Sequence, residues 1–322
     1  MTKHLISLAA MLALAAPLAA QEEPQGAPSP NEIVAQADAK EWIAIPAEDL
    51  LVMTLAPAAD GSARKVVIQL MPAPFSQGWV ENIRTLARAK WYDNIAVNRV
   101  QDNYVVQWGD PNYDNPESEG AAKPLPDGLR VVGENEYVAN VIDDDLLARH
   151  RYADSYSGWT TFIEGWAVGS KQESLHSLEY QAWPVHCYGM VGVGRNYSPA
   201  TGSGAELYTV IGHAPRHLDR NIALVGRIVE GMEHLSSLPR GTGALGFYSA
   251  EETDKRTPIL SVRVASDLPE GERPAFEYLS TDGDTFARYA DARANRRDPF
   301  FIVPAGGADI CNIPVPIRRA GE

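Results

Sequence analysis

Between Ala89 and Pro111 the sequence reads AKWYDNIAVNRVQDNYVVQWGDP, which sets one arginine between two strand-like runs. Ile95 to Val100 is rich in strand formers, Asp102-Asn103 supplies a turn, and Tyr104 to Trp108 is a second strand closing at Gly109. The pattern therefore predicts a β-hairpin. On a pleated strand Arg99 shares a face with Val97, and Gln107 shares one with Val105 and Gly109. A guanidinium and a carboxamide are thus expected to converge on one shallow groove. Such a pair binds carbonyls rather than attacking them.

The flanking sequence extends this into a mainly β fold. Leu50 to Leu55 and Lys65 to Leu70 are strand-like and separated by the turn-rich Ala59-Asp60-Gly61-Ser62, which predicts an opening hairpin. From Pro72 to Asn94 the pattern turns helical, with Trp79, Val80, Ile83, Leu86 and Ala87 on one apolar stripe suited to closing the end of a barrel. Val185 to Val193 reads as another strand, Val229 to Leu238 as a short helix, and Ile259 to Val264 as the strand that closes the barrel. Further on, Asp284 to Arg297 reads as an amphipathic helix, and Phe300 to Val303 and Ile310 to Ile317 as extra strands.

Three separated blocks carry a family resemblance. Tyr92-Asp93, Val97-Asn98-Arg99-Val100 and Tyr104 to Pro111 follow the order Tyr-Asp, Phe-His-Arg-Val and Phe-Met-x-Gln-Gly-Gly-Asp. Leu218-Asp219 and Val225 to Met232 fit a later Leu-Asp and Phe-Gly-x-Val-x-x-Gly-Met, and Pro72-Ala73-Pro74 leading into Asn82 and Leu86 fits a helix start. The chain resembles the cyclophilin-type peptidyl-prolyl cis-trans isomerases, as a divergent exported bacterial member. The resemblance implies a cyclophilin-like closed antiparallel β-barrel capped by helices over 40–269, with a long internal insertion at about 112–184 and a C-terminal extension, 270–322, packed on the barrel. By the same resemblance, Arg99 and Gln107 are the catalytic candidates. Tyr104, Val105, Met190, Leu207, Tyr208, His217 and Leu218 are the candidates for binding proline-containing unfolded or extended polypeptides. No cofactor and no metal is implied.

The departures fall at Val97, Asn98 and Trp108, at Ala205-Glu206-Leu207-Tyr208, at His217 in place of an aromatic, and at Ile222 near a pocket histidine. They leave a second reading open, a cyclophilin-fold binding module or chaperone with weakened catalysis.

The remaining features bound location and partners. Lys3-His4, the apolar run Leu5 to Ala16, Pro17 and Leu18-Ala19-Ala20 read as a secretory signal over 1–20, followed by a Pro-, Glu- and Gln-rich linker over 21–39 expected to be disordered. A periplasmic or secreted location follows. A net charge of −14 argues against nucleic acid and anionic membrane as partners, and no segment of the mature chain reads as a membrane span. An oxidising compartment would allow one disulfide between Cys187 and Cys311, with two buried thiols as the alternative. Asp143-Asp144-Asp145 lacks the spacing of a calcium loop and reads as a solvated acidic patch. His213 and His217 are four apart, but Pro215 between them disfavours a helical metal pair.

Overall fold

A computed structural model of the chain describes residues 26–112, 120–142, 150–172 and 179–321. The signal read over 1–20 and the aspartates at 143–145 lie outside the described residues. The first element is helix α1 (Pro30–Ala35), started by a Ser29–Glu32 capping box and burying Pro30 and Ile33. The disordered linker expected over 21–39 therefore does not extend across these residues, because Ile33 finds an apolar cluster with Phe286, Tyr289 and Ile310 from the far end of the chain.

Strands β1 (Trp42–Ala44), β2 (Leu50–Leu55), β3 (Arg64–Leu70), β4 (Ile95–Val100) and β5 (Val105–Gly109) follow, with helix α2 (Gln77–Arg88) between β3 and β4. Then come β6 (Ala139–Ile142), β7 (Trp159–Ile163), β8 (Trp166–Gln172), β9 (Glu179–Pro184), β10 (Met190–Val193), β11 (Leu207–Val210) and β12 (Leu224–Glu230). The C-terminal part supplies helix α3 (Glu233–Ser236), β13 (Pro258–Val264), β14 (Phe276–Leu279), helix α4 (Asp284–Ala294) and β15 (Ile317–Arg319).

Eight of these strands close a barrel in the order β10-β11-β5-β4-β13-β2-β3-β12, with β10 pairing antiparallel to both β11 and β12. Closure removes the free edges that an open sheet would expose. Along β2, Leu51, Met53 and Leu55 join the main core, whereas Leu50 and Val52 face an outer layer with Val67, Ile45 and Phe276. That outer layer explains why β2 is apolar on both faces. Helix α2 sets Trp79, Val80, Ile83, Leu86 and Ala87 into the main core, and the indole N–H of Trp79 donates to the carbonyls of Thr201 and Gly202 at 3.2 and 3.0 Å.

Two smaller sheets flank the barrel. The segment read as an insertion contributes a four-stranded sheet, β6-β9-β8-β7. β14 lies between β1 and β15, so the C-terminal part shares a sheet with residues near the start of the described chain. Four elements differ from the sequence reading. Residues 185–189 are loop, β12 runs to Glu230 so that α3 is only one turn, and Phe300 to Val303 forms no strand. All four residues of that last run are exposed, so no sheet face buries them. In the last predicted strand, Ile310–Asn312 is a 3₁₀ turn and pairing begins only at Ile317.

Gly109 ends β5 against the Glu206 side chain, which would have to move for any larger residue. A Cβ there would lie 2.0 Å from the Glu206 carboxylate, which accepts from the Asp110 N–H at 2.8 Å. Gly109→Ala is expected to cost about 2 kcal/mol through overpacking, read as a lowered midpoint in urea. An unchanged midpoint would show that the loop carrying Glu206 yields freely.

Candidate active site

The β4–β5 hairpin forms as read, but its faces are set by a bulge. Val97 pairs with Trp108, and the next pair is Arg99 with Gln107, so Asn98 is the extra residue. Its Nδ2 donates to the Gly109 carbonyl at 3.1 Å, and its own carbonyl accepts from the Tyr248 N–H. One inserted residue reverses the alternation of every side chain beyond it. Arg99 therefore does not share a face with Val97, which lies in the core; it stands on the outer face beside Gln107.

Arg99 is held by neutral groups. Its Nε donates to the Leu245 carbonyl at 2.7 Å, Nη1 to Gln107 Oε1 at 3.1 Å, and Nη2 to Gln101 Oε1. The guanidinium lies 5.7 Å from the Tyr104 ring and 5.5 Å from the Phe247 ring, and among the described residues no carboxylate pairs with it. Burial pushes its pKa below the ordinary arginine value, with Tyr104 and Tyr208 pulling the other way. Among the described residues three of its five N–H groups are engaged, leaving two for a ligand. Because Gln107 Oε1 accepts from Arg99, its amide N–H₂ is the end available to the groove.

The groove has a volume of about 680 Å³. Arg99, Tyr104, Val105, Gln107, Tyr208 and Leu218 all line it, as do Ile222, Leu245, Phe247 and residues 194–197. His217 is exposed and stacks on Tyr104 with ring centroids 6.3 Å apart, which places it at the rim. Two expected wall residues are elsewhere. Met190 and Leu207 are buried in the barrel core. Leu207 pairs with Trp108 and so takes the inward face, while Tyr208 pairs with Gln107 and takes the groove face.

The family model for cyclophilin type peptidyl-prolyl cis-trans isomerase/CLD matches residues 62–264. The chain belongs to the cyclophilin family. It is accordingly a peptidyl-prolyl cis-trans isomerase by family. Among solved structures it is similar to a cyclophilin, AquaCyp293, from Hirschia baltica, at 22% identity and a TM-score of 0.62, covering 90% of this chain and 96% of that one. That likeness shows the fold. A cyclophilin type peptidyl-prolyl cis-trans isomerase from Cryptosporidium parvum, solved with the dipeptide ala-pro, matches at 10% identity and a TM-score of 0.36, over 67% of this chain and 97% of that one. A search of curated protein sequences finds no match.

Within this cyclophilin the departures from the family pattern separate into two groups. Val97, Asn98 and Trp108 are buried away from the groove. Tyr208, His217 and Ile222 lie at it or on its rim. Leu245 and Phe247 had no sequence signal, because they come from a loop more than 130 positions after the hairpin, and only the closure of the barrel brings them to Arg99. Among the described residues no cluster of three or more His, Cys, Asp and Glu is arranged to hold a metal ion.

Behind Tyr208 lies the buried His186, whose ring nitrogens meet Tyr208 Oη and Asp219 Oδ1. Burial pushes the His186 pKa below the usual histidine value, against the pull of Asp219. In the unfolded chain a histidine takes up its proton at a pH of about 6.5. Below that pH the unfolded state binds a proton that the folded state refuses, so stability falls as pH falls. Thermal melts are expected to hold level above neutrality and to drop on acidification through this range, ahead of the carboxylates. A melting temperature that rises over the same range would contradict a neutral buried His186.

Proposed function

We propose that this cyclophilin catalyses cis–trans isomerisation of Xaa-Pro bonds in unfolded or extended segments, and thereby assists the folding of exported proteins. The observation that carries the reading is Arg99, fixed beside Gln107 on the floor of a groove with apolar walls and with two N–H groups left to donate.

The chemistry needs neither nucleophile nor metal. Rotation about a peptide bond faces a barrier of about 18–20 kcal/mol because the C–N bond has partial double-bond character. When the bond twists, the prolyl nitrogen becomes pyramidal and gains a lone pair that accepts a hydrogen bond. Arg99 donates that bond, which is absent in the planar ground state, and so lowers the barrier differentially. Gln107 donates its amide N–H to a neighbouring carbonyl of the peptide. Tyr104, Val105, Tyr208 and Leu218 exclude water from the prolyl ring.

Of the departures behind the alternative, a binding module without turnover, Asn98 and Trp108 do not touch the groove; this favours the isomerase. The first test is cis-to-trans isomerisation of a small Xaa-Pro peptide by purified protein running from Gln21 to Glu322. Acceleration is expected, and none at micromolar enzyme would move the assignment to the binding module.

The exported setting is supported by the apolar run and small residues at 1–20 and by the bonded Cys187–Cys311 pair, since disulfides persist in oxidising compartments. Among the described residues no helix is long and apolar enough to cross a membrane. Mass analysis of the protein from the periplasmic fraction of a Gram-negative host should give a chain beginning at Gln21. An intact Met1 in the cytoplasm would sink the export proposal.

A further inference from the structure

The groove wall formed by Tyr208 is held from behind by a chain of buried polar groups. Tyr208 is 4% exposed and His186 0%, and their rings lie nearly parallel, 9° apart in plane. Tyr208 Oη is 2.9 Å from His186 Nε2, and His186 Nδ1 is 2.8 Å from Asp219 Oδ1. That oxygen also accepts the His186 backbone N–H at 3.0 Å. The second oxygen of Asp219 accepts from Arg216 Nε at 2.7 Å, and Arg216 closes on Asp154 through two bonds of 2.8 and 2.9 Å. The His186, Asp219, Arg216 and Asp154 side chains are 3% exposed or less.

The partners fix the proton positions. Asp219 already accepts from the Arg216 guanidinium and the His186 backbone N–H, so Nδ1 of a neutral imidazole carries the hydrogen toward it and Nε2 keeps its lone pair. Tyr208 then donates to Nε2. Gly192 pairs with Tyr208 across β10 and β11, so close that a Cβ there would lie 2.3 Å from both Cζ and Oη of Tyr208. Among the described residues the hydroxyl thus bonds His186, with little room to seek another partner inside the fold.

We propose that His186 is a positioning residue for the prolyl groove, fixing the Tyr208 ring as an apolar wall by engaging its hydroxyl from within the fold. The inference rests on the groove being the prolyl-peptide site. It goes further in assigning a role to a residue that does not line that groove. Left without an acceptor, a buried phenol pays its full desolvation cost and is driven to swing toward water, which here means into the groove. Arg99 and Gln107 stand on other strands and keep their geometry, so ground-state binding suffers more than turnover.

The test separates this from a merely structural role. His186→Asn keeps an amide N–H at the position of Nδ1 for Asp219 but is too short to reach Tyr208. It is expected to raise KM for an Xaa-Pro peptide, and the peptide's Kd by titration, about five- to ten-fold, with kcat within about two-fold. Made in a Tyr208→Phe background, where no hydroxyl needs a partner, the same change should shift KM by less than about two-fold. His186→Gln sets an amide oxygen near the position of Nε2 and should restore KM to within about two-fold of wild type.

An equal rise in both backgrounds, or no rise in either, would overturn the proposal. If His186→Asn does not fold, the glutamine variant decides, and a five-fold KM increase there would overturn it. Failure of the isomerase reading would show in the wild type itself, as absent acceleration. Failure of this inference alone would show as a His186→Asn protein that binds peptide like the wild type.

Discussion

Arg99→Ala is expected to lower kcat/KM for an Xaa-Pro peptide by about 10²- to 10³-fold, the usual effect of removing one preorganised donor from a developing charge or lone pair. The loss should fall on kcat, because the bond to the prolyl nitrogen forms only as the amide twists. Stability should change little. Among the described residues the guanidinium donates hydrogen bonds to the Leu245 carbonyl and the Gln101 and Gln107 amides, and no carboxylate is orphaned by its removal. A loss of roughly 1 kcal/mol is the expected scale. Arg99→Lys should recover little activity, since a single ammonium cannot hold three neutral acceptors and still present a planar pair of donors. Turnover by Arg99→Ala within about two-fold of wild type would remove Arg99 from the mechanism.

The largest effect on stability is expected from breaking the Cys187–Cys311 disulfide. It joins residues 124 apart, with Cα atoms 5.1 Å from each other. Cys187 lies in the β9–β10 loop beside the buried His186, and Cys311 sits in the 3₁₀ turn of the C-terminal part, where Asp309 caps its N–H at 2.8 Å. The bond therefore fastens residues 270–321 to the barrel side through one covalent point next to the Phe286, Tyr289 and Ile310 cluster. Cross-links of this kind contribute about 2–4 kcal/mol, chiefly by restricting the unfolded chain. Cys311→Ser with Cys187→Ser should lower the melting temperature by about 5–10 °C. Thiol counting in denaturant without reductant should find no free thiol before reduction; two free thiols would rule the bond out.

Much of the candidate site is legible in the sequence. Arg99, Gln107, Tyr104 and Val105 lie within nine residues of one another on a single hairpin, so local strand and turn chemistry brought them together. Tyr208 and Leu218 were legible only through the resemblance. Met190 and Leu207 were misplaced, because a side chain's face depends on strand register and nothing in a short apolar run fixes that register. The bulge at Asn98 is the same problem in miniature: one residue of offset decides whether Arg99 meets the core or the groove.

The hairpin, the helix after Pro72 and the cation-and-amide pair can be read from residue order, because each is encoded by local periodicity, turn residues or a contiguous motif; the closed barrel is implied by the family resemblance. Tertiary structure alone decided what surrounds that pair. Leu245 and Phe247 reach Arg99 across the closed barrel, and the His186–Asp219–Arg216–Asp154 chain gathers residues from three separate segments. Buried polar groups must find partners wherever the fold supplies them, and no local pattern records which distant residue answers.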